Sequence, residues 1–136
     1  MTTTDKSAAT ISSATKRLLF IAARSHSLRD QMGIDLRHDE ENDREFLFFR
    51  PGVSRPWLVP KYAGSTELTF EPDIYAKTLG CCSDGENWMR LWILNVWNPG
   101  AAESKGWHFD FFKALRVLDS RNLAAIAWLC ENPILP

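Results

Sequence analysis

Residues 83–97 read SDGENWMRLWILNVW, and this stretch decides the fold of the chain. The serine and the glutamate at its start have the spacing of a capping box, the pair of side chains that begins many helices. From Trp88 to Trp97 the stretch is apolar on nearly all sides, so it is buried whether it forms a helix or a strand. The capping box favours a buried helix over a buried strand of the same composition.

A second helix is predicted near the start of the chain. Apolar residues recur there mostly at three- and four-residue intervals, as on one face of a helix over 12–32, and Gly33 stands where a helix usually ends. Residues 1–10 are mostly small and polar, which indicates a flexible N-terminal tail. Nothing marks a boundary after this tail, so residues 11–136 are predicted to form one domain.

Shorter helices are predicted on both sides of residues 83–97. A proline at the start and a glycine at the end delimit a helix over 72–79. Helical spacing of apolar residues predicts another over 107–118, and Asp119 can cap a last helix over 120–131. The last two helices have almost no linker between them, so we expect them to pack as a corner or a tight hairpin.

The strands are predicted between these helices. The segments 46–49, 57–59 and 66–70 are joined by short links, which indicates a small antiparallel meander, while residues 35–45 have the composition of an exposed acidic loop. The whole pattern predicts an α+β fold with an N-terminal helix, a small three-stranded antiparallel sheet, and three or four C-terminal helices packed on it.

The charge and the cysteines disfavour several classes of protein. A net charge of -1 removes the overall positive charge that nucleic-acid binders usually carry. Cys81, Cys82 and Cys130 are odd in number and form no C-x-x-C pair, which is typical of free thiols in a reducing compartment. The apolar runs are far shorter than a membrane helix requires. We therefore expect a soluble cytoplasmic protein with no membrane partner.

Some residues could carry chemistry, but each has a simpler structural explanation. Residues 38–43 could hold a hard cation, yet they lack the spacing of an EF-hand loop and resemble a solvated turn. His108 and Asp110 form a His-x-Asp pair, but on the predicted helix their side chains diverge. Cys81 or Cys82 precedes a helix N-terminus, which stabilises a thiolate, although small residues also close helix junctions. No metal or cofactor is predicted, and an enzyme is disfavoured.

The first helix carries a modest basic stripe. Its cations are Lys16, Arg17, Arg24 and Arg29, and the first three can point away from the apolar face. Such a stripe could contact phosphate, although it is more often the solvated side of an amphipathic helix. Nucleic acid is therefore an alternative partner.

The strongest binding signal comes from the loops around the second predicted strand. Arg50, Arg55, Trp57, Lys61 and Tyr62 stand there beside prolines that stiffen the chain. Arginine and aromatic side chains on preorganised loops are typical of hot spots in protein interfaces. The alternative is that Trp57 belongs to the core and that the prolines protect a sheet edge.

The chain has 6 tryptophans, which is unusual for its length. Those with helical neighbours, which indicate the core, are Trp88, Trp92 and Trp128. Trp57, Trp97 and Trp107 stand beside breaks in the chain, where an indole can reach a surface. Trp97, Trp107 and the adjacent His108 complete the predicted binding residues.

These features favour a non-catalytic protein-interaction or regulatory module that forms a homodimer. The chain contains no G-x-S-x-G, P-loop, G-x-G-x-x-G or H-E-x-x-H motif, and its aromatic residues are in surplus. The expected partner is another protein or a second copy of the chain. The alternatives are a nucleic-acid-binding module that uses the basic first helix, and a small enzyme that uses a cysteine or His108.

Overall fold

The computed structural model describes residues 10–80 and 82–133, so the predicted flexible tail lies outside the described residues except for Thr10. The strands are β1 (Thr10–Ile11), β2 (Ile34–Asp39), β3 (Arg44–Phe49), β4 (Leu58–Pro60) and β5 (Glu67–Phe70). The helices are α1 (Ser13–Ala22), α2 (His26–Met32), α3 (Pro72–Ala76), α4 (Asp84–Trp97), α5 (Pro99–Ser104), α6 (Phe111–Ala114) and α7 (Ser120–Glu131). This mixture of helices and short strands confirms the predicted α+β class.

Helix α4 begins at a capping box, as the sequence predicts. The Ser83 hydroxyl accepts a hydrogen bond from the Glu86 N–H at 3.3 Å, and the Glu86 carboxylate accepts one from the Ser83 N–H at 3.1 Å. These bonds satisfy backbone groups that the start of a helix leaves unpaired. Met89, Ile93 and Leu94 are almost fully buried along the same helix. The helix is therefore confirmed, and the alternative of a buried strand is wrong.

The helix predicted over 12–32 is in fact two helices. α1 ends at Ala22, and α2 begins after Ser25, whose hydroxyl accepts a hydrogen bond from the Leu28 N–H at 3.2 Å. The prediction of one continuous helix is wrong because this serine hydroxyl caps a new helix start, and apolar periodicity does not reveal such a competing bond. The predicted end at Gly33 is confirmed, since its φ of 67° is the left-handed conformation that glycine adopts easily.

The strands form two sheets, and neither is the predicted meander. In the first sheet β5 lies between β1, which is parallel to it, and β4, which is antiparallel to it. β3 belongs to a second sheet, in which it pairs with β2 in antiparallel register from Ile34↔Phe49 to Asp39↔Arg44. The predicted three-stranded antiparallel sheet is therefore wrong in its members and in one of its pairings.

The acidic segment explains this difference. Residues 34–39 form β2 instead of a loop, and the chain returns to β3 through a turn in which Asp43 has a positive φ of 50°. A ribbon on the surface tolerates charged side chains on its solvated face, so a charged composition did not prevent strand formation. β3 is accordingly a ribbon strand that is exposed over residues 44–46 and partly buried over residues 47–49, although its apolar sequence is typical of a strand covered on both faces.

More helices follow the strands than the three or four predicted, because the described residues after β5 contain α3, α4, α5, α6 and α7. The unpredicted helix is α5, which begins after Asn98, whose side chain accepts a hydrogen bond from the Ala101 N–H at 3.1 Å. The helix predicted over 107–118 shortens to α6, because Asp110 caps it and accepts a hydrogen bond from the Lys113 N–H at 3.1 Å. Trp107 and His108 therefore lie before the helix and not on it.

The main core lies where α1, α2 and α4 meet the first sheet. Its most deeply buried apolar side chains are Leu19, Ile21, Leu28, Met32, Ile34, Tyr75, Met89, Ile93 and Leu94. Among residues 10–80 and 82–133, no helix has the length and the apolar character needed to cross a membrane.

Candidate functional site

Arg50, one of the predicted binding residues, is paired with carboxylates of the protein's own fold. Its guanidinium forms ion pairs with Asp35 at 2.8 Å and with Asp30 at 3.1 Å. The hydrogen bonds from Arg50 lower the pKa of the Asp35 carboxyl below its usual value. The paired charges hold the start of β2 to the end of β3.

Arg55 is bound to backbone carbonyls in the same region. Its guanidinium donates hydrogen bonds to the carbonyls of Met32 at 3.0 Å, Gly33 at 2.6 Å and Arg50 at 2.8 Å. Burial lowers the pKa of the Arg55 guanidinium. These bonds fasten the loop after β3 to the end of α2, so most donors of this arginine are already used by the fold.

Trp57 lies in the core, and the residues that follow it lie on the surface. The Trp57 side chain is 4% exposed and meets the rings of Phe70 and Tyr75 edge-on, with centroids 5.8 and 6.0 Å apart. This is the core alternative that the sequence left open. Lys61 is exposed and forms an ion pair with a glutamate of β5 at 3.2 Å. Tyr62 is 69% exposed, and its binding role stays a prediction.

Trp57 and Trp97 both contact the ring of Phe70. Trp97 is partly buried, and its ring centroid lies 5.2 Å from that of Phe70, which Trp57 also contacts. Trp107 is partly buried, and within the described residues no ring contact joins it to the other two tryptophans. His108 is exposed between α5 and α6. The predicted set of binding residues is therefore spread over the fold and forms no single surface.

The residues considered for chemistry lie in separate places within the described part of the chain. Cys81 lies outside the described residues, and Cys82 is a partly buried free thiol. His38 pairs with Asp43 at 3.1 Å on the exposed hairpin turn. Among residues 10–80 and 82–133, no three His, Cys, Asp or Glu side chains are placed to hold a metal ion.

A polar pocket of about 450 Å³ lies between α2 and the starts of α4 and α7. At its edge His26 Nε2 lies 2.9 Å from Asp119 Oδ2. Asn122 below it accepts a hydrogen bond from the Ser25 hydroxyl at 2.6 Å and donates one to the Ser27 hydroxyl at 3.0 Å. The N–H of Asn122, and then His26, lower the pKa of the Asp119 carboxyl. The hydrogen bonds of Ser25 and Ser27 to Asn122 join the start of α2 to α7, and we name these three residues the Asn122 clamp. The polar groups at this place therefore serve to hold helices together.

A buried arginine on α4 also serves the fold. Arg90 is 7% exposed and donates hydrogen bonds to the Gln31 side chain at 2.6 Å and to the Thr78 carbonyl at 2.5 Å. Tyr75 lies in the same buried layer, where desolvation raises the pKa of its hydroxyl. Arg90 therefore ties α4 to α2 and to the end of α3.

The predicted basic stripe is divided by ion pairing. Arg24 forms a two-pronged pair with Glu45, with contacts of 2.8 and 3.2 Å, and its guanidinium lies 4.0 Å above the Trp128 ring. Lys16 and Arg17 remain exposed on α1. Two cations on one helix are fewer than a phosphate-binding surface usually presents.

The most exposed apolar surface lies at α6 and the turn after it. We name it the aromatic platform, and it consists of Phe111, Phe112, Leu115 and Val117, which are 43%, 78%, 40% and 47% exposed. On the inner side of the same segment Ala114 is fully buried. Exposed apolar side chains that are contiguous mark interaction sites more often than scattered ones do.

The aromatic platform is anchored to the core through a chain of ring contacts. Trp88 on α4 meets Phe109 edge-on at 5.9 Å, Phe109 lies 6.4 Å from Phe111, and Phe111 lies 5.9 Å from Phe112. Aromatic pairs at these distances and angles attract one another. The exposed rings are thus held in place before any partner binds.

Basic side chains border the aromatic platform. Lys113 and Arg116 are exposed and lie between its apolar residues in the sequence. Neither forms an ion pair with any other described residue. The platform therefore combines unpaired positive charge with ordered aromatic rings.

No family model, no curated protein and no solved structure matches this chain. The fold and its surfaces therefore carry the functional argument by themselves.

The sequence predicted a helix over 107–118 and gave no sign that Phe111 and Phe112 would be exposed. Adjacent apolar residues of a helix can both be buried, as Ile93 and Leu94 are on α4, so an adjacent pair does not indicate exposure. Asp110 did offer a signal for the start of α6, because aspartate often caps the first turn of a helix. That signal places the start of the helix but does not say which way its rings point.

Proposed function

We propose that the protein is a non-catalytic protein-interaction module and that the aromatic platform is its docking surface. The observation that carries the proposal is the exposure of the Phe112 ring, 78%, on a segment whose neighbouring rings lead back to Trp88, which packs against the core. Large aromatic residues supply most of the binding free energy at many protein interfaces.

Order in the free protein supports a binding role for these rings. A partner that docks on side chains already held in place loses less conformational entropy than one that must order them. Phe111 and Phe112 contact each other, and Phe111 contacts Phe109 behind it. Their exposed faces are thus available for contact without rearrangement of the turn.

The charge around the platform indicates the chemistry of the partner. Lys113 and Arg116 are unpaired within the described residues and border the rings. A partner with acidic side chains around an apolar centre would complement them, and complementary charge favours both association rate and specificity. A second copy that docks with its own platform would bring four like charges together, so a different protein is the favoured partner.

The experiment is a selection of phage-displayed random peptides on the full-length protein. We expect enrichment of peptides that combine apolar and acidic residues. A synthetic copy of one enriched peptide should bind about 100-fold or more weakly to the double variant Phe111→Ala/Phe112→Ala, since hot-spot rings contribute roughly 2 kcal/mol or more each. The matched control is Tyr62→Ala, which removes an exposed aromatic ring elsewhere and should leave the affinity unchanged.

Two outcomes would contradict the proposal: no peptide is enriched, or the enriched peptides bind the double variant as tightly as the wild-type protein. Sedimentation equilibrium of the wild-type protein and of Phe112→Ala tests the predicted homodimer in the same samples. A dimer that Phe112→Ala dissociates would identify a second copy as the occupant of the platform.

A further inference from the structure

We propose that the open edge of β3 accepts an extended segment of a partner protein as an additional strand. The site is separate from the aromatic platform, and the proposal does not depend on the function assigned to that platform. We name it the β3 slot, and it is the recess of about 370 Å³ that lies along β3 and reaches β1 and α1.

The backbone of β3 has an unused hydrogen-bonding edge. The Arg50 N–H donates to the Gly33 carbonyl at 2.8 Å, which continues the antiparallel register of β2 and β3. Residues that exchange bonds with the partner strand alternate with residues whose N–H and C=O point the other way. Because Arg50 bonds to Gly33 on the side of β2, Phe48 and Phe46 also face β2. The backbone groups of Glu45, Leu47 and Phe49 therefore face away from β2. In the described part of the chain no other strand pairs with β3 on that side.

The space beyond this edge is open. Residues 44–47 all line the recess, and because successive side chains of a strand point to opposite faces, a recess lined by consecutive residues runs along the strand's edge. Its other wall contains Ile11 of β1, with Lys16 and Phe20 of α1. The slot therefore lies between the edge of one sheet and the first strand of the other.

β1 also directs an unpaired residue away from its own sheet. The Ser12 N–H donates to the Leu68 carbonyl of β5 at 2.9 Å. Residues of β1 that bond to β5 alternate along the strand, so the backbone groups of Ile11 face away from β5. An inserted strand would meet backbone groups of β3 on one side and of Ile11 on the other, and no strand among residues 10–80 and 82–133 pairs with these groups.

The charge of the slot selects the occupant. Lys16 and Arg44 line it, and neither forms an ion pair with another described residue, whereas the acidic Glu45 is neutralised by Arg24 at 2.8 Å. The walls between these cations are apolar, with Ile11 and Phe20 among them. An extended segment that alternates apolar with acidic side chains fits this surface, since backbone bonds supply affinity and alternate side chains supply specificity.

The probe is a capped synthetic peptide of about six residues, a common strand length, that alternates valine with threonine and aspartate. We expect the full-length protein to bind it. A copy with N-methyl groups on alternate amides should bind about 10-fold more weakly, because backbone hydrogen bonds to the protein are lost while the charge is unchanged. A copy with lysine in place of aspartate should also bind more weakly.

Amide hydrogen exchange measured by NMR distinguishes strand addition from side-chain docking. On binding of the probe we expect new protection at Glu45, Leu47 and Phe49 and little change at Phe46 and Phe48, which already bond to β2. An alternating pattern follows from strand pairing alone. Uniform protection or no protection along β3 would overturn the proposal, and so would equal binding of the N-methylated probe.

A matched pair of variants tests the slot from the protein side. Glu45→Pro removes an N–H that faces the slot but no bond to β2, so we expect it to weaken probe binding. Glu45→Ala is the control, because it also loses the pair with Arg24 but keeps that N–H. We expect it to bind the probe as the wild-type protein does.

Two other occupants would overturn the proposal. Slow exchange at Glu45, Leu47 and Phe49 in the free protein would mean that the slot is already filled. If the slot is filled in this way, sedimentation identifies the occupant. A dimer would mean that a second copy fills it, and a monomer would mean that a segment of the same chain fills it.

Discussion

Two segments of this protein have similar composition and opposite places in the fold. The loop around Trp57 and the turn at Phe112 each combine aromatic side chains with lysine and arginine. The sequence left both a surface and a core position open for Trp57 and placed Phe112 on a helix over 107–118, and in the structure Trp57 is 4% exposed and Phe112 is 78% exposed. Aromatic and basic composition therefore does not decide which segment is free to bind, because the surrounding backbone decides it.

The reason for the difference lies in what each segment meets. Arg55 meets the carbonyls at the end of α2, which accept its hydrogen bonds and draw the loop onto the protein. The inward side of α6 is the small, fully buried Ala114, and its rings reach the core only at their inner edge, where Phe111 contacts Phe109. Two comparisons of variant stability and one pH measurement can break or sharpen this comparison.

The largest expected effect contrasts the two aromatic residues directly. Trp57→Ala should lower the free energy of unfolding by about 3–5 kcal/mol, because it removes a buried ring that packs on Phe70 and Tyr75. Phe112→Ala should change the same quantity by less than about 0.5 kcal/mol, since its ring is mostly in solvent. Urea denaturation followed by circular dichroism measures both. Equal losses would end the distinction between a structural loop and a free surface.

A smaller loss is expected at Arg55. Arg55→Lys keeps the charge but cannot reproduce the forked hydrogen bonds to Met32 and Gly33, so it should lower the free energy of unfolding by about 1–2 kcal/mol. The control is Lys61→Ala, which removes an exposed ion pair and should cost less than about 1 kcal/mol. An Arg55→Lys variant as stable as the wild-type protein would mean that the loop is held by Trp57 alone.

The smallest expected effect is a pH dependence at Asp35. Its pKa is lowered in the folded protein by the hydrogen bonds from Arg50, so the unfolded chain binds a proton more readily. The stabilisation is complete above the ordinary value of 3.8 and is lost as the pH falls through the lower folded pKa. Urea midpoints measured from pH 6 to about pH 2 should fall less steeply for Asp35→Asn than for the wild-type protein. Parallel curves would show that the Arg50 pair adds nothing.

Local signals in the sequence predicted local structure well. Ser83 and Glu86 gave the start of α4, Gly33 gave the end of α2, and Asp119 gave the cap of α7, where it accepts a hydrogen bond from the Asn122 N–H at 2.9 Å. Each of these signals acts within one turn of a helix, so neighbouring residues contain all the information that it needs.

Pairing between distant strands was the part that the sequence did not reveal. β1 is only Thr10–Ile11, and its partner β5 begins at Glu67. A strand of two residues is too short to show any periodicity in the sequence. Its position depends on how α1, which follows it in the chain, packs against β5. The same limit explains why β3 was assigned to the wrong sheet, since its apolar sequence fits a buried strand as well as a ribbon.

The candidate surfaces were harder to predict than the fold. The aromatic platform depends on how early α6 ends, and the β3 slot depends on a gap between two sheets. Ile11 and Arg44 face that gap from opposite sides. Neither the gap nor the length of α6 is set by the residues that line it, so single-sequence patterns indicate them only after the elements are placed.

The Asn122 clamp has a consequence for how the protein is made. Ser25 and Ser27, at the start of α2, bond to Asn122, near the start of α7. Translation produces α7 last among the described helices, so the junction between α1 and α2 stays unsealed while most of the chain is already outside the ribosome. A chain that ends before Asn122 therefore leaves the Ser25 and Ser27 hydroxyls at that junction without this partner.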